Sequence, residues 1–110
     1  MNAKKQQLVL DYLVSSPDIF SNCITVIQPE YFDPEFRKTV KFVMDYFNEY
    51  HAVPTCKQVN AETGIKLEPI QVTKDQIEWT CKEIESFCKQ RALVKAIYAA
   101  GEFIEREDLS

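Results

Sequence analysis

The chain has 110 residues, of which 45% are hydrophobic and 12% aromatic, and its 13 basic and 17 acidic residues give a net charge of −4. This length suits one domain, and the apolar content is enough for a buried core, which argues against a disordered chain. A net negative charge gives no general attraction to phosphates, so direct binding to duplex DNA is not expected. The two glycines leave little material for phosphate-binding loops or tight hairpins and favour helices.

No targeting, membrane or metal-binding signal stands out. There is no cationic start before an apolar run and no stretch of about 18 uncharged apolar residues, so we expect a soluble, cytoplasmic protein without membrane contact. The cysteines lie at positions 23, 56, 81 and 88. They lack the C-x-x-C spacing of zinc sites, so we expect free thiols and neither a metal site nor a cofactor in this chain.

Two short helices are predicted at the start of the chain. Apolar residues recur at helical spacing up to about Ser15. Ser16 followed by Pro17 is typical of an N-cap with proline at the first helical position, where its missing N–H costs nothing. A second short helix is therefore predicted through Ile19 and Phe20.

A stronger helix signal begins at Asp33-Pro34, which repeats that start pattern. Apolar residues then alternate four and three residues apart, as in a core helix, at Phe36, Val40, Val43, Phe47 and Tyr50. The helix is predicted to stop at Val53, because the residue before a proline is pushed out of the α region. Tyr31 and Phe32, just before the N-cap, are predicted to pack inward.

The T-x-x-Q pattern of Thr55 and Gln58 is a capping box, and it predicts a short helix that Gly64 ends as a left-handed cap. The following residues, 65–72, have no helical period and are predicted to form a loop.

A second T-x-x-Q pattern, at Thr73, predicts a helix of some thirty residues that runs to about Arg106. A helix of this length exceeds what a small head can cover, so part of it should project and seek a partner. The acidic residues Glu83 and Glu85 are predicted to form a solvated face, with Lys89 and Arg91 available for ion pairs.

Several features follow one another in a specific order along the chain. They are Leu8, Leu13, Pro17 and Phe20, then Ile27-Gln28-Pro29-Glu30-Tyr31-Phe32, the helix from Lys38 to Tyr50, Pro54-Thr55, Ile84 to Leu93, Ala96-Ile97 and Phe103-Ile104-Glu105. Their joint order and spacing resemble the N-terminal domain of DnaB-type replicative DNA helicases, most of all those of large myovirus-type tailed phages. In that family a leucine helix, a P-E-x-F segment, an amphipathic helix and a short proline-led helix precede the long helix of a projecting hairpin.

The resemblance implies an all-α fold with a small helical head of about four helices over 1–72. The long helix over 73–110 would be the first arm of the hairpin, in a domain cut from a longer helicase and, for a phage protein, working in the host bacterial cytoplasm. It also implies a non-catalytic role, in which heads form a collar, usually a trimer of dimers, that docks primase and communicates with the helicase loader. The family's motor domain, which binds ATP and Mg, lies further downstream. This chain has no G-x-x-x-x-G-K-[ST] motif and should not hydrolyse ATP alone.

The long helix is the predicted contact surface between copies or with a partner, because aromatic residues bury large areas with few rotors. Packing of the same residues onto the head is the alternative, and the segment from Val94 to Ile104 is favoured for the contact. The small residues of the series Ala92, Ala96, Ala99, Ala100 and Gly101 would let another helix come close. The predicted interface residues are Phe87, Arg91, Val94, Tyr98, Gly101 and Ile104.

Two functions remain open at this stage. The chain is either the collar domain described above or a stand-alone adaptor, such as a loader or inhibitor, that binds a helicase or primase. Continuation of the reading frame past Ser110 into a P-loop motor would favour the first. An enzyme is not expected, because no nucleophile, base and orienting group are recognisable and His51, the only histidine, suits a helix C-terminus. A helix-turn-helix DNA binder would need a basic recognition helix, which is missing.

Overall fold

The elements of the fold are α-helices and one 3-10 turn, joined by short loops. The computed structural model describes the backbone of residues 2–108 and the side chains of residues 2–101, and in this part of the chain there is no strand. The elements in chain order are α1 (Ala3–Ser15), α2 (Pro17–Cys23), the 3-10 turn (Pro29–Tyr31), α3 (Pro34–Tyr50), α4 (Cys56–Thr63) and α5 (Lys74–Asp108). The predicted all-α class, with four head helices followed by a long helix, is confirmed.

Side-chain caps fix several helix starts where the sequence predicts them. The hydroxyl of Ser16 accepts a hydrogen bond from the Ile19 N–H at 3.3 Å, directly before Pro17 opens α2. Thr55 and Gln58 form both hydrogen bonds of a capping box at the start of α4. Such bonds satisfy amides that have no partner within the helix, so a few neighbouring residues are enough to set the helix start.

Asp33 precedes α3 as predicted, but its side chain does not cap the helix. Its carboxylate instead lies 3.2 Å from the guanidinium of Arg91 on α5, and its backbone N–H donates to the side chain of Gln6 on α1. The residue therefore connects three helices, which a local cap would not do.

Two helices end on left-handed residues. Gly64 has φ 76° after α4, a conformation that glycine adopts without a side-chain clash, as predicted. His51 has φ 55° and donates its backbone N–H to the Phe47 carbonyl at 2.8 Å, so its predicted position at a helix end is confirmed. This turn ends α3 at Tyr50, before the predicted stop at Val53, because the left-handed residue already closes the helix.

The core lies between α1, α2, α3 and the first half of α5. Phe20 and Phe47 pack with ring centroids 4.9 Å apart, and Phe32 meets Phe87 of α5 edge to face at 5.3 Å. The prediction that Phe32 packs inward is confirmed, since only 1% of its surface is exposed. The other buried apolar side chains include Val9, Leu10, Leu13, Ile19, Cys23, Val40, Val43, Val59, Leu67, Ile84 and Cys88.

The segment between α4 and α5 is irregular, as predicted, but it is tied down. The side-chain amide of Asn60 binds both the N–H and the carbonyl of Leu67, at 2.8 and 3.0 Å. The hydroxyl of Ser15 accepts a hydrogen bond from the Ile70 N–H at 3.0 Å. These bonds keep the loop on the head, and Leu67 enters the core.

The long helix α5 has 35 residues and changes its surroundings near its middle. Thr80, Ile84, Phe87 and Cys88 are buried against the head, whereas every residue from 93 to 101 is exposed. We call residues 93–101 the projecting segment. The molecule measures 55 Å along its longest axis and about half that across, at 30 and 26 Å, so the predicted projection of part of this helix is confirmed. Among the described residues, no helix has the length and apolarity needed to cross a membrane.

Thr80 provides a test of the packing between α5 and the head. Its side chain is fully buried, and its hydroxyl has no hydrogen-bond partner within the described part of the chain. An unpaired buried hydroxyl costs roughly 1–3 kcal/mol, and valine has the same shape without it. We therefore expect Thr80→Val to raise the free energy of unfolding by about 1 kcal/mol, measured by urea denaturation followed by circular dichroism.

Thr63→Val is the matched control, because the Thr63 hydroxyl donates to the Val59 carbonyl at 2.8 Å and accepts from Thr39 at 3.3 Å. This control should lower the free energy of unfolding by about 1 kcal/mol. A Thr80→Val protein that is no more stable than the parent chain would contradict the described environment of Thr80.

Candidate protein-interaction surface on the long helix

The projecting segment carries a row of large apolar side chains on one side of α5. Leu93 and Ile97 are 61% and 60% exposed, and Val94 and Tyr98 are 46% and 72% exposed. Positions three and four residues apart are neighbours on a helix surface, so these four side chains form one continuous patch, which we call the apolar face. Contiguous exposed apolar patches are found at protein–protein contact sites, among others, which makes the apolar face a candidate interaction surface.

The apolar face continues a stripe that is buried further down the same helix. Phe87, Arg91, Val94 and Tyr98 follow one another four, three and four residues apart, so they share a side of α5. Phe87 lies in the core against Phe32, and Arg91 lies at the edge of the head. Beyond this edge the side chains of the stripe are exposed to solvent. The head therefore does not cover the projecting segment.

The predicted interface residues therefore occupy different environments. Phe87 is 3% exposed and contacts the head instead of an open surface. Val94, Tyr98 and Gly101 lie in the projecting segment, and a Cβ at Gly101 would meet only open space. Ile104 lies outside the residues whose side chains the structure describes.

Arg91 is occupied within the chain. Its guanidinium pairs with the Asp33 carboxylate at 3.2 Å and lies 5.1 Å from the centre of the Phe87 ring. The arginine thus covers the end of the core, and its contribution to a partner surface is limited to the 40% of its side chain that remains exposed.

Three ion pairs join α5 to the head. Glu83 pairs with Lys5 of α1 at 2.6 Å, Arg91 with Asp33, and Lys95 with Glu30 of the 3-10 turn at 2.7 Å. Each joins α5 to a different part of the head. Exposed pairs contribute about 0–1 kcal/mol each, so the buried packing of Ile84, Phe87 and Cys88 remains the main restraint on α5.

The predicted pairing of the acidic residues on α5 with Lys89 and Arg91 is wrong for the groups whose partners are described. Glu83 reaches Lys5 and Arg91 reaches Asp33, both in the head. The sequence pattern indicates only neighbours on the same helix. The fold instead brings Glu83 and Arg91 within ion-pair distance of opposite charges from distant segments.

The small residues of α5 do not form a single row opposite the apolar face. At 3.6 residues per turn, residues two apart point about 200° away from each other, so Ala99 lies opposite Ile97. Ala92 lies near Ala99 on this far side, whereas Ala96 and Ala100 are three residues from Leu93 and Ile97 and border the apolar face. Gly101 falls beside Val94 and Tyr98, so a helix docked on the apolar face would contact the large side chains, the glycine and these two alanines.

Three thiols lie near one another where α2 meets α5. Cys23 and Cys88 are buried, and Cys81 is half-buried beside them. Burial raises the pKa of Cys23 to about 12, aided by a hydrogen bond with Cys81, and burial raises the pKa of Cys88 to about 11. Protonated thiols are poor nucleophiles and poor ligands. In the part of the chain that the structure describes, no group of three or more histidine, cysteine or acidic side chains could hold a metal ion.

The chain is similar to a curated protein described as a DnaB-like replicative helicase, from Enterobacteria phage T4. The two are 25% identical over 104 aligned residues, which cover 82% of this chain and 22% of the helicase. The chain thus spans less than a quarter of the length of the relative it matches. No family model matches the chain, and no solved structure matches it. The similarity supports, loosely, a relationship with phage helicases.

The cysteines supply a chemical test of how α2 and α5 pack. The raised pKa values leave almost no thiolate on Cys23 or Cys88 at pH 8, so we expect iodoacetamide to modify these two far more slowly than the partly exposed Cys56. Peptide mass spectrometry would give the rate at each site. All four should react once urea unfolds the chain. Modification of Cys23 as fast as Cys56 in the folded protein would contradict this packing.

Proposed function

We propose that this chain is a non-catalytic assembly domain of a hexameric replicative DNA helicase. The observation that carries the proposal is its similarity to a phage DnaB-like replicative helicase over 82% of this chain but only 22% of that protein. In this role the chain is the N-terminal collar domain, which pairs subunits and docks primase and the helicase loader during DNA replication. ATP and Mg would be bound by the motor domain of the parent protein.

Subunit pairing is assigned to the apolar face of the projecting segment. Burial of one large apolar side chain contributes about 1.5–3 kcal/mol, and this face exposes four of them close together. Two copies related by a two-fold axis would each cover the other's face with the same residues, which is the usual arrangement in homodimers. The buried packing of Ile84, Phe87 and Cys88 anchors α5 to the head before any pairing, so less freedom would be lost when two copies associate.

The first test of this proposal is self-association. We expect the chain to form dimers in sedimentation equilibrium and Ile97→Glu to weaken the dimer at least about tenfold, because a charge would be buried in the apolar contact. The matched control is Ala99→Glu, which adds the same charge to the opposite side of the same helix and should leave the dimer unchanged. Neither residue contacts the core, so both variants should keep the parent's helical circular dichroism spectrum, and its unfolding temperature at concentrations where the parent chain is monomeric. Equal dimerisation by all three chains would contradict pairing through this face.

The second test is partner binding. We expect the chain to bind the primase encoded by the same genome in isothermal titration, with a Kd on the order of micromolar, the range in which many transient protein contacts fall. A short DNA duplex titrated in the same buffer should give no binding, because the net charge of −4 opposes phosphate contact. The collar proposal would fail if the chain does not bind primase, stays monomeric and binds an intact hexameric helicase. The chain would then be a separate adaptor.

A further inference from the structure

A second surface lies between α3 and α4, away from the apolar face of α5. It is an open groove of about 450 Å³, and neither of its two helices packs against α5 in the described part of the chain. The groove is lined by Phe42, Asp45, Tyr46, Glu49 and Tyr50 from α3 and by Gln58, Ala61 and Glu62 from α4. Aromatic rings and carboxylates account for six of these eight side chains.

The aromatic rings form a ladder along the wall of the groove. Phe42 and Tyr46 have ring centroids 6.1 Å apart, and Tyr46 and Tyr50 are 4.7 Å apart, each pair four residues apart on α3. The Tyr46 hydroxyl accepts a hydrogen bond from the side-chain amide of Gln58 at 3.4 Å, which links the ladder to α4. Tyr50, at the end, is 59% exposed. The ladder is therefore ordered by its neighbours while its rings remain accessible.

Carboxylates border the ladder and have no ion-pair partner among residues 2–101. Asp45, Glu49 and Glu62 are exposed, and none of them forms a salt bridge with any residue of the described part of the chain. Asp45 and Glu49 are four residues apart on α3, where like charges destabilise a helix by about 0.2–0.5 kcal/mol. The lysines that precede the lining residues in sequence, Lys41 and Lys57, do not line the groove. Within the described residues, the carboxylates of the groove are thus not neutralised by a direct ion pair.

The aromatic rings and the carboxylates together determine which ligands the groove can bind. Cations are attracted both by carboxylates and by the faces of tyrosine and phenylalanine rings, while the ring edges and Ala61 accept apolar side chains. Nucleic acid is disfavoured because its phosphates would meet three carboxylates. A second copy of this chain is a poor occupant because it carries a net charge of −4 itself.

We propose that the groove between α3 and α4 docks a basic amphipathic helix of another protein. Phe42 to Tyr50 spans about 12 Å at 1.5 Å per residue, the length of roughly two helical turns of a ligand. Lysines and arginines of the docked helix pair with Asp45, Glu49 and Glu62, and its apolar side chains lie on the ring ladder, as in other helix-in-groove complexes. This surface is separate from the apolar face, and the proposal does not depend on helicase membership.

The test uses a synthetic probe, a fluorescein-labelled helical peptide with lysine and arginine on one face and leucine on the other. Fluorescence anisotropy at about 50 mM salt should give saturable binding to the whole chain that weakens as salt is raised. Asp45→Lys combined with Glu49→Lys should weaken binding at least tenfold. Tyr50→Ser, which removes an exposed ring without opening the core, should weaken it about fivefold.

The matched control is Glu68→Lys combined with Glu78→Lys. Both of these residues are exposed and outside the groove, and the double variant changes the net charge by the same amount as the first pair. Binding should change less than twofold in this control and in Ile97→Glu, which separates the groove from the apolar face. Circular dichroism spectra that match the parent chain would establish that each variant is folded.

Two outcomes would overturn the proposal. If both lysine double variants weaken binding equally, peptide binding depends only on the net charge of the chain and not on the groove. If a peptide with serine in place of every leucine binds as tightly as the amphipathic probe, the ring ladder takes no part in recognition.

Discussion

The packing of α5 on the head is the constraint on which the rest of the molecule depends. Phe87 closes the core against Phe32, and Ile84 and Cys88 fill the adjacent turns. A long helix gains little from its own hydrogen bonds in water and is stabilised mainly by the face that it buries. The helical conformation of the described part of α5 beyond the head is therefore stabilised by the packing of the buried part. Its direction is set by this packing, and the ion pairs of Glu83 and Arg91, which lie on the buried half, add further contacts with the head.

Features determined within a few residues could be predicted from the sequence, and those that depend on distant partners could not. Pro17, the capping box at Thr55 and the glycine at position 64 act through bonds to their immediate neighbours, so their patterns were sufficient. The same kind of pattern predicts a local cap at Asp33, but its carboxylate pairs with a cation 58 residues away and makes no cap bond. Glu83 likewise pairs with Lys5, 78 residues away. No periodicity within a helix reveals such pairs.

The same distinction between local and distant determinants applies to the two candidate surfaces, the apolar face and the groove. The sequence predicted that α5 would be a contact helix, but it could not tell where the head stops covering it. That boundary separates Phe87 in the core from Val94 and Tyr98 outside it. The groove on α3 was missed because Tyr50 was assigned to the core stripe of the helix, whereas it is exposed. A second aromatic row, Phe42, Tyr46 and Tyr50 at intervals of four, was present in the sequence and could have indicated the groove.

The two proposed contacts depend on different interactions, apolar burial at the face on α5 and charge attraction at the groove. They therefore suit different partners. An apolar face on α5 is compatible with itself, because its four side chains are uncharged and two copies can cover each other with the same residues. An acidic groove on an acidic chain repels another copy and attracts a different, basic protein. Because α3 and α4 do not pack against α5 in the described residues, occupation of one surface leaves the other free. A domain built in this way can hold its own copies together while it recruits a second protein, which is what an assembly domain requires.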